Sequence, residues 1–396
     1  MAHYSTATRP EMAERSIQKA LKASIITDND ERLIREYLAE YRATRHISTG
    51  RSNKMTYALV GWRRFLKVPY QEMTLPDLYG AIADLKEAES ERGRRYKQNT
   101  LHDKIRILKR FLFWLVDEKG VGIPREKVQQ IRIPRVDNQT TSPDELLEPE
   151  EVLAIIRAAK SPRDRAFVAT LYESGCRIGE LARLRWRDLV FDEYGVGVHI
   201  HDTKNQKIRY ARLTSSTEYL ATWRNACPGA KLDDLIFPAP RAAVLTHSAC
   251  SKILRNLGRA AGVKKRVRAH IFRKSRITHM IRENYQESVI KSAMWGNLDT
   301  QMFSTYVVLS QKDIDAEFLE KAGIQTREKK AAPILPVPCS RCHAINAPTS
   351  EHCRKCGLPL TEDAIARIER MRQDILENPE GLIKLLQNLK DHRKKS

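Results

Sequence analysis

The stretch "RAHIFRKSRITHM", residues 268–280, combines a histidine with dense positive charge. His270 and Arg273 are three residues apart, and Lys274 and Arg276 follow. Residues three apart share one face of a helix, so both side chains can reach the same point. Arginine binds phosphate through two parallel hydrogen bonds, and histidine donates to phosphate or moves protons. The stretch therefore predicts either a phosphate-handling site or, more simply, a basic helix that lies on DNA.

The charge of the whole chain favours a polyanionic partner. The 396 residues carry a formal net charge of +21, with 41% hydrophobic residues, which is compatible with globular folding. Residues 255–276 hold nine Lys or Arg and no acid, and residues 91–110 hold eight against two acids. Because a solvated helix face usually mixes both signs, these two blocks predict two walls of a clamp around DNA phosphates.

A membrane surface is the other polyanion that such a charge could meet. No stretch approaches the length of a transmembrane helix, and "MAHYSTATRPEMAERS" (1–16) lacks the apolar core of a signal peptide. We therefore expect double-stranded DNA in the cytoplasm as the partner, and no membrane association.

Helical spacing dominates the first third of the chain. Residues 1–27 form a polar N-terminal segment, and residues 28–122 contain about four amphipathic helices in a small bundle. Residues 123–145, rich in proline and poor in apolar anchors, are predicted to be a linker. The clearest helix has apolar residues spaced 4, 3, 4 and 3 apart, namely Leu101, Ile105, Leu108, Leu112 and Leu115.

The second part of the chain is predicted to be mainly α-helical with a small antiparallel β-sheet. Within residues 146–325, "VGVHIHDTKNQKIRYARLT" (196–214) alternates twice around "KNQK", which is typical of a β-hairpin. Residues 326–338 are a second predicted linker, before a cysteine-rich segment at 339–357. Residues 358–396 are predicted to form two amphipathic helices, either a docking or oligomer contact or a self-packing appendage.

Three further residues stand at prominent positions in this part. Arg177 begins a helix directly after a Gly-Cys turn, Lys204 lies at the hairpin tip, and Tyr306 follows Asn297 by nine residues. Singly, each has an ordinary explanation. An exposed hairpin lysine is usually a solvated charge, and a lone tyrosine usually packs half-buried.

In their order along the chain, these segments resemble the tyrosine recombinase (phage integrase) family, over roughly residues 28–325. That family carries an arginine motif, a hairpin lysine, a His-x-x-Arg helix and a Gly-His ending before its tyrosine. The resemblance implies a helical core-binding (SAM-like) DNA-binding domain at 28–122 and a recombinase catalytic domain at 146–325. The matching stretches are "GCRIGELARLRWRDL" (175–189), which includes Glu180, "TKNQKIRYARL" (203–213), "HIFRKSRITHM" (270–280) and "MWGNLDTQMFSTYV" (294–307).

The resemblance also implies roles for single residues. Tyr306 would attack a DNA phosphate and form a 3′-phosphotyrosyl intermediate, with His270 as base or proton shuttle. Arg177 and Arg273 would stabilise the charge that develops on the phosphate oxygens. Lys204 would protonate the leaving 5′ oxygen. No cofactor is expected for this chemistry, and family members act as homotetramers on two DNA sites.

One residue departs from the family pattern. Asn297 occupies the position where the family usually has His or Trp, and an amide can donate a hydrogen bond but cannot carry charge or shuttle a proton. Two alternatives to a site-specific recombinase or integrase therefore stay open. The first is a type IB topoisomerase-like nickase, and the second is a non-catalytic, zinc-containing DNA-binding regulator.

The segment "CSRCHAINAPTSEHCRKCG" (339–357) contains two CxxC pairs separated by ten residues. Paired thiolates at this spacing are typical of one tetrahedral zinc, which here would be structural and would supply the segment's folding energy. His343 and His352 are neighbours that could replace a thiolate. Disulfides are the alternative, which a reducing cytoplasm disfavours. The predicted ligands are Cys339, Cys342, Cys353 and Cys356.

Overall fold

The chain forms two compact units that divide between Thr140 and Thr141, inside the predicted linker. Among the described residues, the first unit consists of helices and the second of helices with two small sheets. The prediction of a mainly helical fold with a small antiparallel sheet is confirmed. The computed structural model describes residues 9–90, 93–138, 140–202, 207–323 and 334–377.

Aromatic packing holds the first unit together. The ring of Phe111 lies 5.1 Å from that of Tyr37 and 5.0 Å from that of Tyr70, between centroids. The buried Asp30 carboxylate pairs with Arg63 at 2.9 Å and accepts the backbone N–H of Tyr70 at 2.8 Å. The described helices are α1 (Pro10–Lys22), α2 (Asp28–Thr44), α3 (Thr49–Trp62), α4 (Leu75–Glu87), α5 (Gln98–Lys119) and α6 (Arg125–Gln130).

This unit is larger than the sequence predicted at both ends. Helix α1, within the predicted polar segment, buries Ile17 and Ala20 in the core. Helix α6, within the predicted linker, buries Val128 in the same core. A helix at the edge of a bundle needs only a few apolar residues on one face to pack against it. The apolar periodicity of such a helix is therefore weak in the sequence.

The second unit contains a three-stranded antiparallel sheet of β1 (Leu189–Asp192), β2 (Gly195–His201) and β3 (Ile208–Leu213), in that order. The predicted hairpin is present as β2 and β3, with His199 opposite Tyr210. Strands β4 (Val337–Pro338) and β5 (Ile345–Asn346) form a separate antiparallel pair.

The helices of the second unit carry most of the predicted site residues. None of the helices in the described ranges is both long and apolar enough to cross a membrane. The second predicted C-terminal helix falls within residues 378–396, outside the described part of the chain. The helices are α7 (Pro149–Ala158), α8 (Pro162–Ser174), α9 (Ile178–Leu181), α10 (Thr217–Asn225), α11 (His247–Ala260), α12 (Ala269–Arg282), α13 (Glu287–Trp295), α14 (Phe303–Tyr306), α15 (Gln311–Lys321) and α16 (Glu362–Glu377).

Candidate active site

Helix α12 places the His-x-x-Arg pair beside Tyr306. Arg268 is extended and caps the helix, so His270 falls in the first turn, and Arg273 lies almost one turn further along. The ring centroid of Tyr306 is 5.1 Å from that of His270 and 5.4 Å from the guanidinium carbon of Arg273. Three residues that the sequence analysis singled out therefore meet at one place.

Tyr306 ends the short helix α14 and is 7% exposed. Its ring meets that of Trp295 edge to face, with centroids 5.4 Å apart. The ammonium nitrogen of Lys274 lies 6.0 Å from the centre of the same ring. The tyrosine ring is thus held between the rings of His270 and Trp295 and lies close to two cations, Arg273 and Lys274.

Arg273 is fixed by backbone carbonyls. It is 1% exposed, its Nη1 donates to the carbonyl of Gly175, and its Nη2 donates to that of Met294 at 2.7 Å. Gly175 ends α8 with a φ of 56°, where a side chain would strain the backbone and would also collide with Met294. The Gly-Cys turn therefore presents its carbonyl to the guanidinium and directs the next residue, Arg177, into the site.

Burial and then the positive charges of Arg209 and Arg177 lower the pKa of Arg273 to about 10. The guanidinium consequently stays protonated at neutral pH. Each of its Nη atoms carries two hydrogens, so one hydrogen of each remains beyond the two carbonyl contacts. The positive charge is held rigidly and remains able to bind an anion.

Arg177 precedes helix α9 and belongs to an ion-pair network. Its Nη1 donates to Oε1 of Glu180 at 2.8 Å and lies 3.8 Å from the Asp202 carboxylate. Oε2 of the same Glu180, itself 4% exposed, accepts Nη2 of the buried Arg209 at 2.7 Å. The Arg177 side chain is 40% exposed, so its guanidinium is oriented by Glu180 and still reaches the surface.

The sequence analysis did not identify Arg209 as part of this arrangement. Arg209 is 5% exposed and also donates its Nε to the Met294 carbonyl at 2.9 Å, the group that Arg273 contacts. The strand's alternation points Arg209 toward the interior. A basic residue at an inward position of a strand requires a buried partner of opposite charge. The alternation of the strand was therefore the signal by which the sequence could have identified Arg209.

His270 is exposed, and its ring packs against Tyr306 on the inner side. Loss of hydration on its inner side, and then the charges of Lys274, Arg273, Arg268 and Arg177, lower its pKa to about 4. The imidazole is therefore neutral at pH 7 and able to accept a proton. An anionic phosphate brought beside it would raise that pKa toward neutrality and make it a better base.

Two predicted site residues are not brought to this cluster by the described contacts. Lys204 lies within residues 203–206 at the hairpin tip, outside the described part of the chain. Asn297 is exposed, and its Oδ1 accepts the backbone N–H of Asp299 at 3.1 Å in its own turn. The nearby ring is instead that of Trp295, which the sequence analysis did not single out.

The four predicted cysteine ligands do come together. The four sulfur atoms lie within 4.8 Å of one another. The shortest separations are 3.5 Å, between Cys339 and Cys356 and between Cys342 and Cys353. Four thiolates about 2.3 Å from one zinc would stand roughly 3.8 Å apart, so the arrangement fits a tetrahedral metal site. Neither neighbouring histidine belongs to this group.

The cysteine segment is attached to helix α10 of the same unit. The Glu218 carboxylate accepts the backbone N–H of Ala347 at 2.5 Å and the hydroxyl of Ser350 at 2.7 Å. The hydroxyl oxygens of Tyr219 and Thr349 are 2.6 Å apart. These contacts fix the segment against helix α10 of the second unit.

Comparisons with known proteins agree with this architecture. Residues 145–312 match the phage integrase family. The chain is 27% identical over 247 residues to tyrosine recombinase XerC of Xanthomonas axonopodis pv. citri, covering 62% of this chain and 78% of the relative. It is 28% identical over 232 residues to a tyrosine recombinase of Pseudothermotoga lettingae, covering 57% and 77%. A structure of the XerH site-specific recombinase bound to its difH substrate shares the fold, at a TM-score of 0.55 and 16% identity over 78% of this chain and 89% of XerH.

Proposed function

We propose that the chain is a member of the tyrosine recombinase family, to which it is similar, and that it is a site-specific recombinase that cuts and rejoins DNA through Tyr306. The observation that carries this proposal is the position of the Tyr306 ring, 5.1 Å from His270 and 5.4 Å from Arg273. A pure DNA-binding protein has no need for a tyrosine enclosed by a neutral imidazole and a buried guanidinium.

In the proposed reaction the Tyr306 oxygen attacks the phosphorus of a DNA phosphodiester. The bond from phosphorus to the 5′ oxygen breaks, which leaves a 3′-phosphotyrosyl strand and a free 5′-hydroxyl, and keeps the bond energy for rejoining. The tyrosine proton passes to His270, and Lys204 protonates the leaving oxygen. Arg177 and Arg273 stabilise the charge that grows on the non-bridging oxygens. This route needs no cofactor.

We propose that the first unit supplies a core-binding DNA-binding domain and the second the catalytic domain, acting on double-stranded DNA in the cytoplasm. Exposed cations in both basic blocks support this, including Arg94 and Lys97 in the first and Arg255 and Arg259 in the second. The related XerH recombinase was captured on DNA after cleavage. From the resemblance to the tyrosine recombinase family we further propose a homotetramer that joins two DNA sites.

Salt should weaken DNA binding steeply. If the two basic blocks neutralise many phosphates, the logarithm of the affinity for a long random duplex should fall linearly with the logarithm of salt, with a slope of about −0.9 for each phosphate contacted. Fluorescence anisotropy across a salt series measures that slope. A flat line would contradict the assignment of both blocks to DNA binding.

The alternative of a non-catalytic regulator draws on one observation. Asn297 is exposed, its amide oxygen is bonded within its own turn, and it replaces the His or Trp that is usual in the family. Against this, the regulator gives no reason for the enclosed tyrosine. A covalent protein–DNA adduct separates both enzymatic hypotheses from the regulator, and synapsis of two DNA sites separates the recombinase from a topoisomerase-like nickase.

We further propose that Cys339, Cys342, Cys353 and Cys356 hold one structural zinc. The mutual distances of the four sulfurs support this, and four protein ligands leave no open position for substrate. The metal would fold the segment and keep it seated on Glu218, away from the phosphate chemistry.

Metal analysis should find about one zinc per chain. Changing Cys353 and Cys356 to Ser should release the zinc and make residues 339–357 sensitive to protease, because the segment is too short to fold without metal. Cys227→Ser is the matched control, since Cys227 is half-buried and outside the cluster. Strand cleavage should survive at least in part. Immediate loss of cleavage on chelation, with the fold intact, would make the metal catalytic and contradict the proposal.

A further inference from the structure

The indole N–H of Trp295 is a buried hydrogen-bond donor that finds no acceptor among the described residues. Its ring lies edge to face with Tyr306 and 5.2 Å from the guanidinium carbon of Arg273. Buried polar groups in native proteins are nearly always paired, because an unmade hydrogen bond costs the full desolvation of the group. An isolated buried donor at this position therefore requires an explanation.

Two other buried donors in the same neighbourhood share this property. Within the described ranges, Nε of Arg273 and Nη1 of Arg209 also lack acceptors. The remaining nitrogens of these arginines are bonded to the carbonyls of Gly175 and Met294 and to the Glu180 carboxylate. The three unpaired donors lie on residues that contact Tyr306 or share the Met294 carbonyl, and two of them belong to cations, so an anionic acceptor suits them.

The chemistry of Tyr306 indicates which anion this is. After attack, phosphorus is bonded to the tyrosine oxygen, so the non-bridging oxygens lie next to that oxygen, at the end of the ring that Trp295 contacts. Trp295 is held there because Gly296, with a φ of 63°, ends helix α13 directly after it. A Cβ on Gly296 would approach that of Arg209 to 3.1 Å, so helix and strand meet closely at this point.

We propose that Trp295, and not Asn297, donates the neutral hydrogen bond to a non-bridging oxygen of the phosphate that Tyr306 attacks. This inference rests on the proposed function. It assigns to an indole two residues upstream the contact that the family's usual His or Trp would make at position 297.

The test compares Trp295→Phe with Asn297→Ala on a nicked substrate that carries the target site. Phenylalanine keeps an aromatic ring against Tyr306 and Arg273 but removes the N–H. Formation of the covalent adduct should slow by a factor on the order of 10² to 10³, the scale for one lost donor to a developing anion. Asn297→Ala should change the rate by only a few-fold, and both variants should bind DNA normally.

A substrate with a methylphosphonate at the scissile position separates a phosphate contact from packing. If the indole bonds a non-bridging oxygen, replacing that oxygen by methyl should remove the effect of Trp295→Phe in one of the two diastereomers. If Trp295→Phe still slowed adduct formation by its full factor with both diastereomers, the inference would be overturned. A Trp295→Phe rate on the phosphate substrate equal to that of the unsubstituted protein would also overturn it. No adduct in the unsubstituted protein would instead overturn the proposed function itself.

A second measurement covers the case in which Trp295→Phe does not fold. In unsubstituted protein with ¹⁵N-labelled tryptophan, the indole N–H of Trp295 can be assigned by its contact with the Tyr306 ring. Its proton should move downfield and exchange more slowly when the phosphate substrate binds, and less so with the methylphosphonate diastereomer that lacks the contacted oxygen. An unchanged indole signal on phosphate DNA would overturn the inference.

Discussion

Tyr306→Phe should bind DNA with unchanged affinity and form no covalent adduct. The substitution keeps the ring that packs against Trp295 and His270 and removes only the oxygen that would attack phosphorus. Gel separation of protein and labelled DNA under denaturing conditions measures the adduct, and a binding titration measures affinity. The expected loss is complete, because no other group can supply the same bond.

Two other tyrosines provide the matched controls. Tyr210 and Tyr285 are 49% and 44% exposed, and each lies near an arginine, Arg212 and Arg276 respectively. Tyr210→Phe and Tyr285→Phe should both form the adduct at a normal rate. An adduct that persisted in Tyr306→Phe and disappeared in one of these would show that the nucleophile had been assigned to the wrong residue.

Arg177→Ala and Arg273→Ala should each slow adduct formation by a factor on the order of 10² or more, the scale for loss of preorganised charge stabilisation. The Arg177 side chain is 40% exposed, so its removal leaves little buried space. Arg273 is fully enclosed and bonds two backbone carbonyls, so its removal should also lower thermal stability. Single-turnover rates on saturating DNA separate the chemical defect from weakened binding.

Arg212→Ala is the control for loss of charge alone. Arg212 lies on the same strand as Arg209 but pairs with Asp192 near the surface. Its removal lowers the net charge by the same unit and should leave the rate of adduct formation unchanged. If Arg177→Ala and Arg212→Ala were equally slow at saturating DNA, the effect would be one of general charge and not of the proposed phosphate site.

The elements that carry the site could be predicted because their patterns are local. A hairpin is visible in alternation around a polar turn, and the basic helix in the spacing of its His and Arg. The convergence of His270, Arg273 and Tyr306 could not be read from spacing, since the last two are 33 positions apart. It was expected only from the order of the motifs, and the structure brings the two rings and the guanidinium together.

Residues that support the site were harder to predict. Glu180 and Arg209 are paired across 29 positions, and nothing in either segment alone names the partner. Trp295 is an aromatic residue at the end of an amphipathic helix, where core packing is the ordinary expectation. Its unpaired N–H is a property of the folded environment, which the sequence does not display.

The most direct test of the account is to trap the unsubstituted protein on a nicked suicide substrate that carries its own site, digest the adduct and sequence the modified peptide. The account predicts a nucleotide joined through its 3′ phosphate to Tyr306, within the peptide that follows Lys291. A modified residue other than Tyr306, or DNA that is bound at its own site without any adduct, would contradict it.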